Sequence, residues 1–362
     1  MIRILQVVPD MRSGGLETLI MNLYRNIDRN EVQFDFLVHY SKRAFYDDEI
    51  EKMGGKIYRL SFREDNNFWK YINDLNTFFK TNGNKYKTVH GHMASLAFIY
   101  LYFAKKYGCV MRIIHSHNTN TSRDLKGILK NILIKFATVN ANVYFACGID
   151  AGKYLFKNKK FNIIKNGIDI EHFRYNEKIR EEYRKILGVS GNLVVGHVGR
   201  FNIQKNHMFL LDIFKDIARF NNNACLLLIG SGELENKIKE KARKSGLDKK
   251  VFFMGTRYDV AELYQAMDVF ILPSLFEGLP VVSAECQAAG LPMLVSDKIT
   301  TEIVMSPIIE YESLDSGSEV WAKKALKLAC LQRTNYCNSL SSNGYNIKEE
   351  AARLARYYKK VY

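Results

Sequence analysis

The chain has 362 residues, of which 47% are apolar and 12% aromatic, which excludes a disordered segment and suffices for two domains with separate cores. Its formal charge of +15 is lopsided: residues 1–168 hold 26 Lys and Arg against 14 Asp and Glu, whereas residues 169–362 hold 27 against 24. The longest apolar run, 96–104, is too short to cross a bilayer. Six cysteines (Cys109, Cys147, Cys225, Cys286, Cys330, Cys337) are scattered with no C-x-x-C spacing, so reduced thiols in a cytoplasmic protein are expected, without zinc or disulfides.

Residues 2–8, with charged Arg3 among them, alternate and branch like a buried first strand, and read better as that strand than as a signal peptide. The loop 9–15 follows, and Leu16, Leu19, Ile20 and Leu23 then recur at helical spacing. Gly14 and Gly15 therefore lie at a strand-to-helix turn, where missing Cβ atoms let backbone amides approach a diphosphate. Taken alone, the pair reads better as a simple tight turn, and the absence of G-x-G-x-x-G disfavours a dinucleotide site.

The alternation continues with strands over 34–38 and 57–60 and helices over 46–53 and 68–79, the pattern of a parallel doubly wound sheet. Two further strands end in histidine pairs, His90 with His92 and His115 with His117. Four histidines suggest a metal. Strand alternation is expected to send neighbours to opposite faces and no carboxylate accompanies them, so no metal is assigned, and hydrogen-bonded strand-end histidines are the plainer reading. Residues 123–136 form one apolar helical stripe flanked by Lys126, Lys130 and Lys135. Such a helix fits covering a sheet, and in so basic a half it also fits docking on anionic headgroups. Strands over 143–146 and 161–164 complete the first half.

Residues 166–169 close the first domain, and the charged run 171–185 leads into the second. Asp169-Ile170-Glu171 superficially mimics the metal-holding D-x-D motif, but no true D-x-D occurs in the chain. The strand 193–198 delivers the loop Gly199-Arg200-Phe201-Asn202-Ile203-Gln204-Lys205-Asn206. Arg200 and Lys205, five residues apart, can converge on one diphosphate in place of a metal; in isolation the two would read as solvated cations. Strands over 225–229 and 251–254 follow, and Asp259 with Glu262 reads as a capping box.

The stretch 268–290, DVFILPSLFEGLPVVSAECQAAG, reads as one strand, one loop and one helix, with Pro280 at the first helical position. Glu277 falls at the strand's carboxyl end and Glu285, eight positions later, inside the helix; the amides of Gly278 and Leu279 face the same crevice. Phe-Glu-Gly-Leu-Pro followed by this spacing resembles the E-x7-E signature of the retaining family-4 glycosyltransferases. The resemblance extends over essentially the whole chain, loosening after Val295, where 296–303 lacks the glycine-rich turn of many relatives.

What the resemblance implies is an α/β protein of the GT-B fold: two Rossmann-like domains with parallel doubly wound sheets facing across a cleft. Residues 1–168, joined by a returning helix 346–362, would bind the acceptor, and 169–345 the nucleotide sugar. Gly14 and Gly15 would approach the donor phosphates, with Glu17 beside them. His117 would approach the donor sugar, with His92 and Asn118 nearer the acceptor. Arg200 and Lys205 would hold the pyrophosphate, the backbone at Arg257 and Tyr258 would meet the base, and Asp259 is left to capping. Glu277, Gly278 and Leu279 would contact the donor, and Glu285 would accept both ribose hydroxyls.

The expected activity is metal-independent, retaining transfer of a sugar from a UDP-linked donor to a lipid-linked or saccharide acceptor in capsule or exopolysaccharide assembly. His117, Glu277, Arg200 and Lys205 carry the catalysis. The expected setting is the inner face of the cell membrane, reached through the basic first half, with no nucleic-acid partner. Two other readings stay open: an epimerase or phosphorylase of the same fold, and a basic nucleic-acid-binding protein, which the dispersed charges and apolar setting of Tyr100, Tyr102 and Phe103 disfavour.

Overall fold

The computed structural model describes residues 1–12, 14–117 and 131–362. Asn118 and most of the helix expected over 123–136, with Lys126 and Lys130, lie outside the described residues. Two compact units emerge: unit 1 is Met1–Gly167 with Ile347–Tyr362, and unit 2 is Ile168–Asn346. Each boundary lies one residue from the expected position.

Unit 1 is built on seven strands: β1 (Ile2–Val7), β2 (Val32–Val38), β3 (Ile57–Arg59), β4 (Thr88–Gly91), β5 (Met111–Ser116), β6 (Val143–Ala146) and β7 (Asn162–Ile163). All pair in parallel, in the order β3-β2-β1-β4-β5-β6-β7. One face is covered jointly by the helix Gly15–Asn26 and by the last helix, Ile347–Tyr358. Ile347, Ala351, Leu354 and Tyr358 recur at intervals of four and three, so one stripe of that last helix is buried against Ile4, Phe34 and Phe145 while Lys348 and Arg356 stay outside it. A polar anchor sits inside the same sheet: Asp35 of β2 is fully buried and accepts from Arg3 Nε, Tyr86 Oη and the Lys56 amide, each at 2.7 Å. With that many donors the carboxylate is satisfied without water.

Unit 2 carries β8 (Leu193–Val198), β9 (Ala224–Ile229), β10 (Val251–Gly255), β11 (Val269–Leu272), β12 (Met293–Ser296) and β13 (Ile309–Glu312), again all parallel, ordered β10-β9-β8-β11-β12-β13. β9, ACLLLI, is buried at every position, the unbroken apolar run demanded of a central strand covered on both faces. Helices His207–Phe220 and Ser318–Ala329 share the core, centred on a fully buried Trp321 whose Nε1 donates to the Ser313 carbonyl at 2.8 Å.

Strand order reverses between β1 and β4 in unit 1 and between β8 and β11 in unit 2. At such a reversal the flanking crossovers leave in opposite directions and open a crevice beyond the strands' carboxyl ends. Among the described residues no helix is long and apolar enough to cross a membrane.

Candidate active site

The unit 2 reversal brings two distant loops together. The loop after β8 and the loop after β11 are pinned by the Leu275 amide donating to the Gln204 carbonyl at 2.8 Å, and by Gln204 Nε2 donating to the Phe276 carbonyl at 2.9 Å. Lys205 then meets Glu277: Nζ lies 2.6 Å from Oε1, with both side chains largely buried. Ser274 Oγ donates to the same Oε1 at 2.8 Å and Gln204 Nε2 to Oε2 at 3.1 Å. Glu277 is thus gripped by one cation and two neutral donors.

Arg200 does not join them. It is half-exposed, and its guanidinium pairs with Glu233 at 3.2 Å. The expected convergence of two cations is replaced by two separate ion pairs. Backbone packing explains the placement. The Phe201 amide donates to the Ser231 carbonyl and the Leu234 amide to the Phe201 carbonyl, both at 3.0 Å. A Cβ on Gly232 would sit 2.5 Å from the Phe201 carbonyl oxygen, and one on Gly230, at φ +129°, 2.2 Å from that of Gly199. Only glycines let the loops after β8 and β9 touch, and that contact carries Glu233 to Arg200.

Glu285 is buried in the helix Val281–Ala288, where Oε2 accepts from Tyr264 Oη at 2.8 Å. Burial pushes its carboxyl up to about 7, only partly offset by the Tyr264 hydrogen bond and the charge of Lys205. Pro280 precedes this helix as its cap in extended conformation, one position before the place expected. Gly278 and the buried Leu279 lie on the connecting loop.

Arg257 and Tyr258 follow β10. The Arg257 side chain is committed to Asp259 through bonds of 2.7 and 2.6 Å, and Tyr258 is 77% exposed. Asp259 was expected to cap the next helix, Val260–Ala266; its side chain makes no capping bond because Arg257 and Tyr183 occupy it. Asp169, from the D-x-D mimic, caps the short helix Ile170–Phe173 by accepting from the His172 amide, and Glu171 pairs with Arg174 at 2.9 Å.

At the unit 1 reversal, Gly14 is an extended residue preceding the helix Gly15–Asn26, and a Cβ there would lie 2.4 Å from Glu17 Oε2. Glu17 therefore folds back over Gly14. The histidine geometry corrects the sequence reading: His90, His92, His115 and His117 are not split between faces. Within each pair the residues are two apart, which puts both on one face, and the register of β4 on β5 lays the pairs side by side. Ring centroids are 4.4 Å apart for His90 and His92 and 4.1 Å for His115 and His117. Nitrogens of His90, His92 and His115 lie within 4.8 Å of one another, so opposite faces cannot be the reason for excluding a metal. His92 Nδ1 and His117 Nε2 share a 2.8 Å hydrogen bond.

Four contributors were missed in the sequence. Ser274 had a signal, three residues before Glu277, but reads first as a strand terminator. Tyr264 and Gln204 have none, since their partners lie far along the chain. Gln287 fixes the 296–303 region onto the Glu285 helix: Nε2 donates to the Ile303 carbonyl at 2.9 Å, and Oε1 accepts from the Met305 amide at 3.0 Å and Ser306 Oγ at 2.8 Å.

Two parallel-sheet Rossmann-like units, each with polar loops at its reversal, define the class, and comparisons with known proteins agree. Residues 13–172 match the family described as Glycosyltransferase Family 4, and residues 179–311 match Glycosyl transferases group 1. The putative glycosyltransferase EpsF of Bacillus subtilis (strain 168) is 34% identical over 98% of this chain and 96% of its own length. An Escherichia coli UDP-Gal:alpha-D-GlcNAc-diphosphoundecaprenol alpha-1,3-galactosyltransferase is 27% identical over 76% of this chain and 75% of its own. The crystal structure of Anabaena HepE in complex with UDP and glucose superposes with a TM-score of 0.80 at 15% identity, covering 99% of this chain and 100% of HepE. The chain belongs to the group 1 glycosyltransferases, is a transferase, and has the GT-B fold.

Proposed function

We propose that this glycosyltransferase moves a sugar from a UDP-linked donor, with retention and without a metal, onto a lipid-linked or saccharide acceptor in cell-surface polysaccharide assembly. The observation that carries the donor reading is the buried Lys205–Glu277 pair at the reversal of unit 2, with Glu285 on the helix that follows. The acceptor oxygen would bond to the anomeric carbon as the bond from that carbon to the diphosphate breaks. The leaving phosphate takes the electron pair and the acceptor's proton. Lys205 and Arg200 would neutralise the charge that develops, Arg200 leaving Glu233 to do so. A diphosphate arriving beside Lys205 competes with Glu277 for it, which frees that carboxylate to accept from sugar hydroxyls.

The nucleotide and acceptor classes draw support from the Escherichia coli relative, named for UDP-Gal and a diphosphoundecaprenol substrate, and from HepE, crystallised with UDP and glucose. Peripheral docking on the inner membrane leaflet is supported by the basic first half and by Ile132, Phe136 and Val139, which expose 48, 50 and 65% of their surface. A thermal-shift panel of nucleoside diphosphates and their sugars tests the donor reading. UDP or a UDP-sugar is expected to raise the melting temperature, and Arg200→Ala and Glu285→Ala to abolish the shift; a panel with no response refutes it. Product analysis without an acceptor separates transfer from epimerisation or phosphorolysis. Retention on anionic vesicles, compared with salt-sensitive retention on DNA or RNA, separates membrane docking from nucleic-acid binding.

A further inference from the structure

The four strand-end histidines His90, His92, His115 and His117 are wired to β1 through Gln6 and to the last helix through Tyr358. With Arg3, Gln6 is one of two polar residues in β1, and it is only 2% exposed. Gln6 Oε1 lies 2.9 Å from His92 Nε2, and Gln6 Nε2 donates to Tyr358 Oη at 3.3 Å. Tyr358 Oη lies 2.6 Å from His90 Nδ1, and His90 Nε2 lies 3.1 Å from His115 Nδ1.

A neutral imidazole has one donor nitrogen and one acceptor nitrogen, so each bond in such a chain dictates the next. Burial keeps these rings neutral: it pushes His90 and His117 down to about 3 and holds His92 and His115 well below the usual histidine range. Gln6 Oε1 can only accept, so His92 carries its proton on Nε2. His92 Nδ1 is then a lone pair and accepts from His117 Nε2–H. His117 Nδ1 is left as a lone pair, and no hydrogen bond among the described residues reaches it. On the other branch, Tyr358 accepts from Gln6 and gives its own proton to His90 Nδ1. His90 Nε2–H donates to His115 Nδ1, and His115 Nε2–H ends buried without an acceptor. Turning the Gln6 amide around would move the proton to the other nitrogen on every ring.

We infer that Gln6 is a positioning residue for glycosyl transfer: it sets the tautomer of His92 and thereby presents His117 with an accepting Nδ1, which recognises a carbohydrate O–H and disfavours an anionic oxygen. The inference deepens the proposed function and rests on the expectation, implied by the family resemblance, that His117 approaches the donor sugar. Its primary test needs no substrate. In the full chain carrying 15N-labelled histidine, with His117 assigned by difference from His117→Ala, His117 is expected to show protonated Nε2 and unprotonated Nδ1; a proton on Nδ1 overturns the inference.

Kinetics test the consequence. Gln6→Leu, with circular dichroism unchanged, is expected to mix the tautomers and lower kcat/KM about tenfold, the value of one hydrogen bond. The same substitution in a His117→Ala background is expected to cost nothing further; full additivity, or no kinetic effect of Gln6→Leu, overturns the positioning role. Gln6→Glu adds an anion beside His92, which draws a second proton onto it and removes the acceptor for His117. Activity of that variant is expected to recover as pH rises, and a flat profile counts against the inference. Absence of transfer to any acceptor would defeat the functional reading while leaving the proton positions intact.

Discussion

Replacing Glu285 by glutamine is expected to strengthen the fold while weakening donor binding, and the two effects separate by pH. In the folded protein the carboxyl titrates at about 7, against an ordinary value of 4.5. Between those values the folded state holds a proton that the unfolded state has released, so stability falls as pH rises through the window, and the full cost is present above about pH 7. A shift from 4.5 to about 7 corresponds to about 3 kcal/mol. Glutamine keeps an acceptor for Tyr264 Oη and removes the ionisation. Glu285→Gln is therefore expected to be more stable than the parent by up to about 3 kcal/mol at pH 8, with the gain nearly gone at pH 4.5. Urea unfolding of both proteins across pH 4.5–8.5 measures the difference, and UDP titration of the same samples is expected to show weaker binding by the variant. A difference in stability that does not vary with pH would refute the reasoning, because burial of the ionised form is its whole basis.

Other perturbations probe different parts of the molecule. Lys205→Ala deprives the buried Glu277 of its cation, beside the neutral donors Ser274 and Gln204, and is expected to cost about 3–5 kcal/mol of stability and about 100-fold or more in kcat/KM, measured by transfer from a UDP-sugar. Leu354→Ala removes a fully buried side chain from the last helix and is expected to destabilise unit 1 by about 2–5 kcal/mol, read from amide exchange at the Ile4 and Phe34 positions. Transfer is expected to survive exhaustive chelation; loss with EDTA and return with magnesium would overturn the metal-free reading and turn attention to the histidine nitrogens.

Much of the fold could be read from residue order because its central strands are buried on both faces. β9 and β11 are continuous apolar runs bounded by turn residues, and nothing competes with that pattern. Side-chain pairing was far less legible. Glu233 reaches Arg200 only because Gly230 and Gly232 let two backbones touch, and Tyr264 meets Glu285 across a strand and a loop. Asp259 has every local mark of a cap, and an arginine two residues earlier outcompetes the helix for its oxygens. The histidines are the instructive case: a spacing of two already put each pair on one face, while the register that laid the pairs together is a property of the sheet.

The helix Ile347–Tyr358 belongs to unit 1 although all of unit 2 precedes it. During synthesis the first sheet must wait on the ribosome half-covered, with Phe34 and Phe145 lacking their ring contacts to Tyr358 and Tyr357, while the intervening unit emerges, roughly 10–40 s at ~5–20 residues per second. A nascent chain with that much bare aromatic surface is a natural client for a holdase. It also means that a premature stop sparing every donor-side residue would still fail, by leaving the other half without its lid.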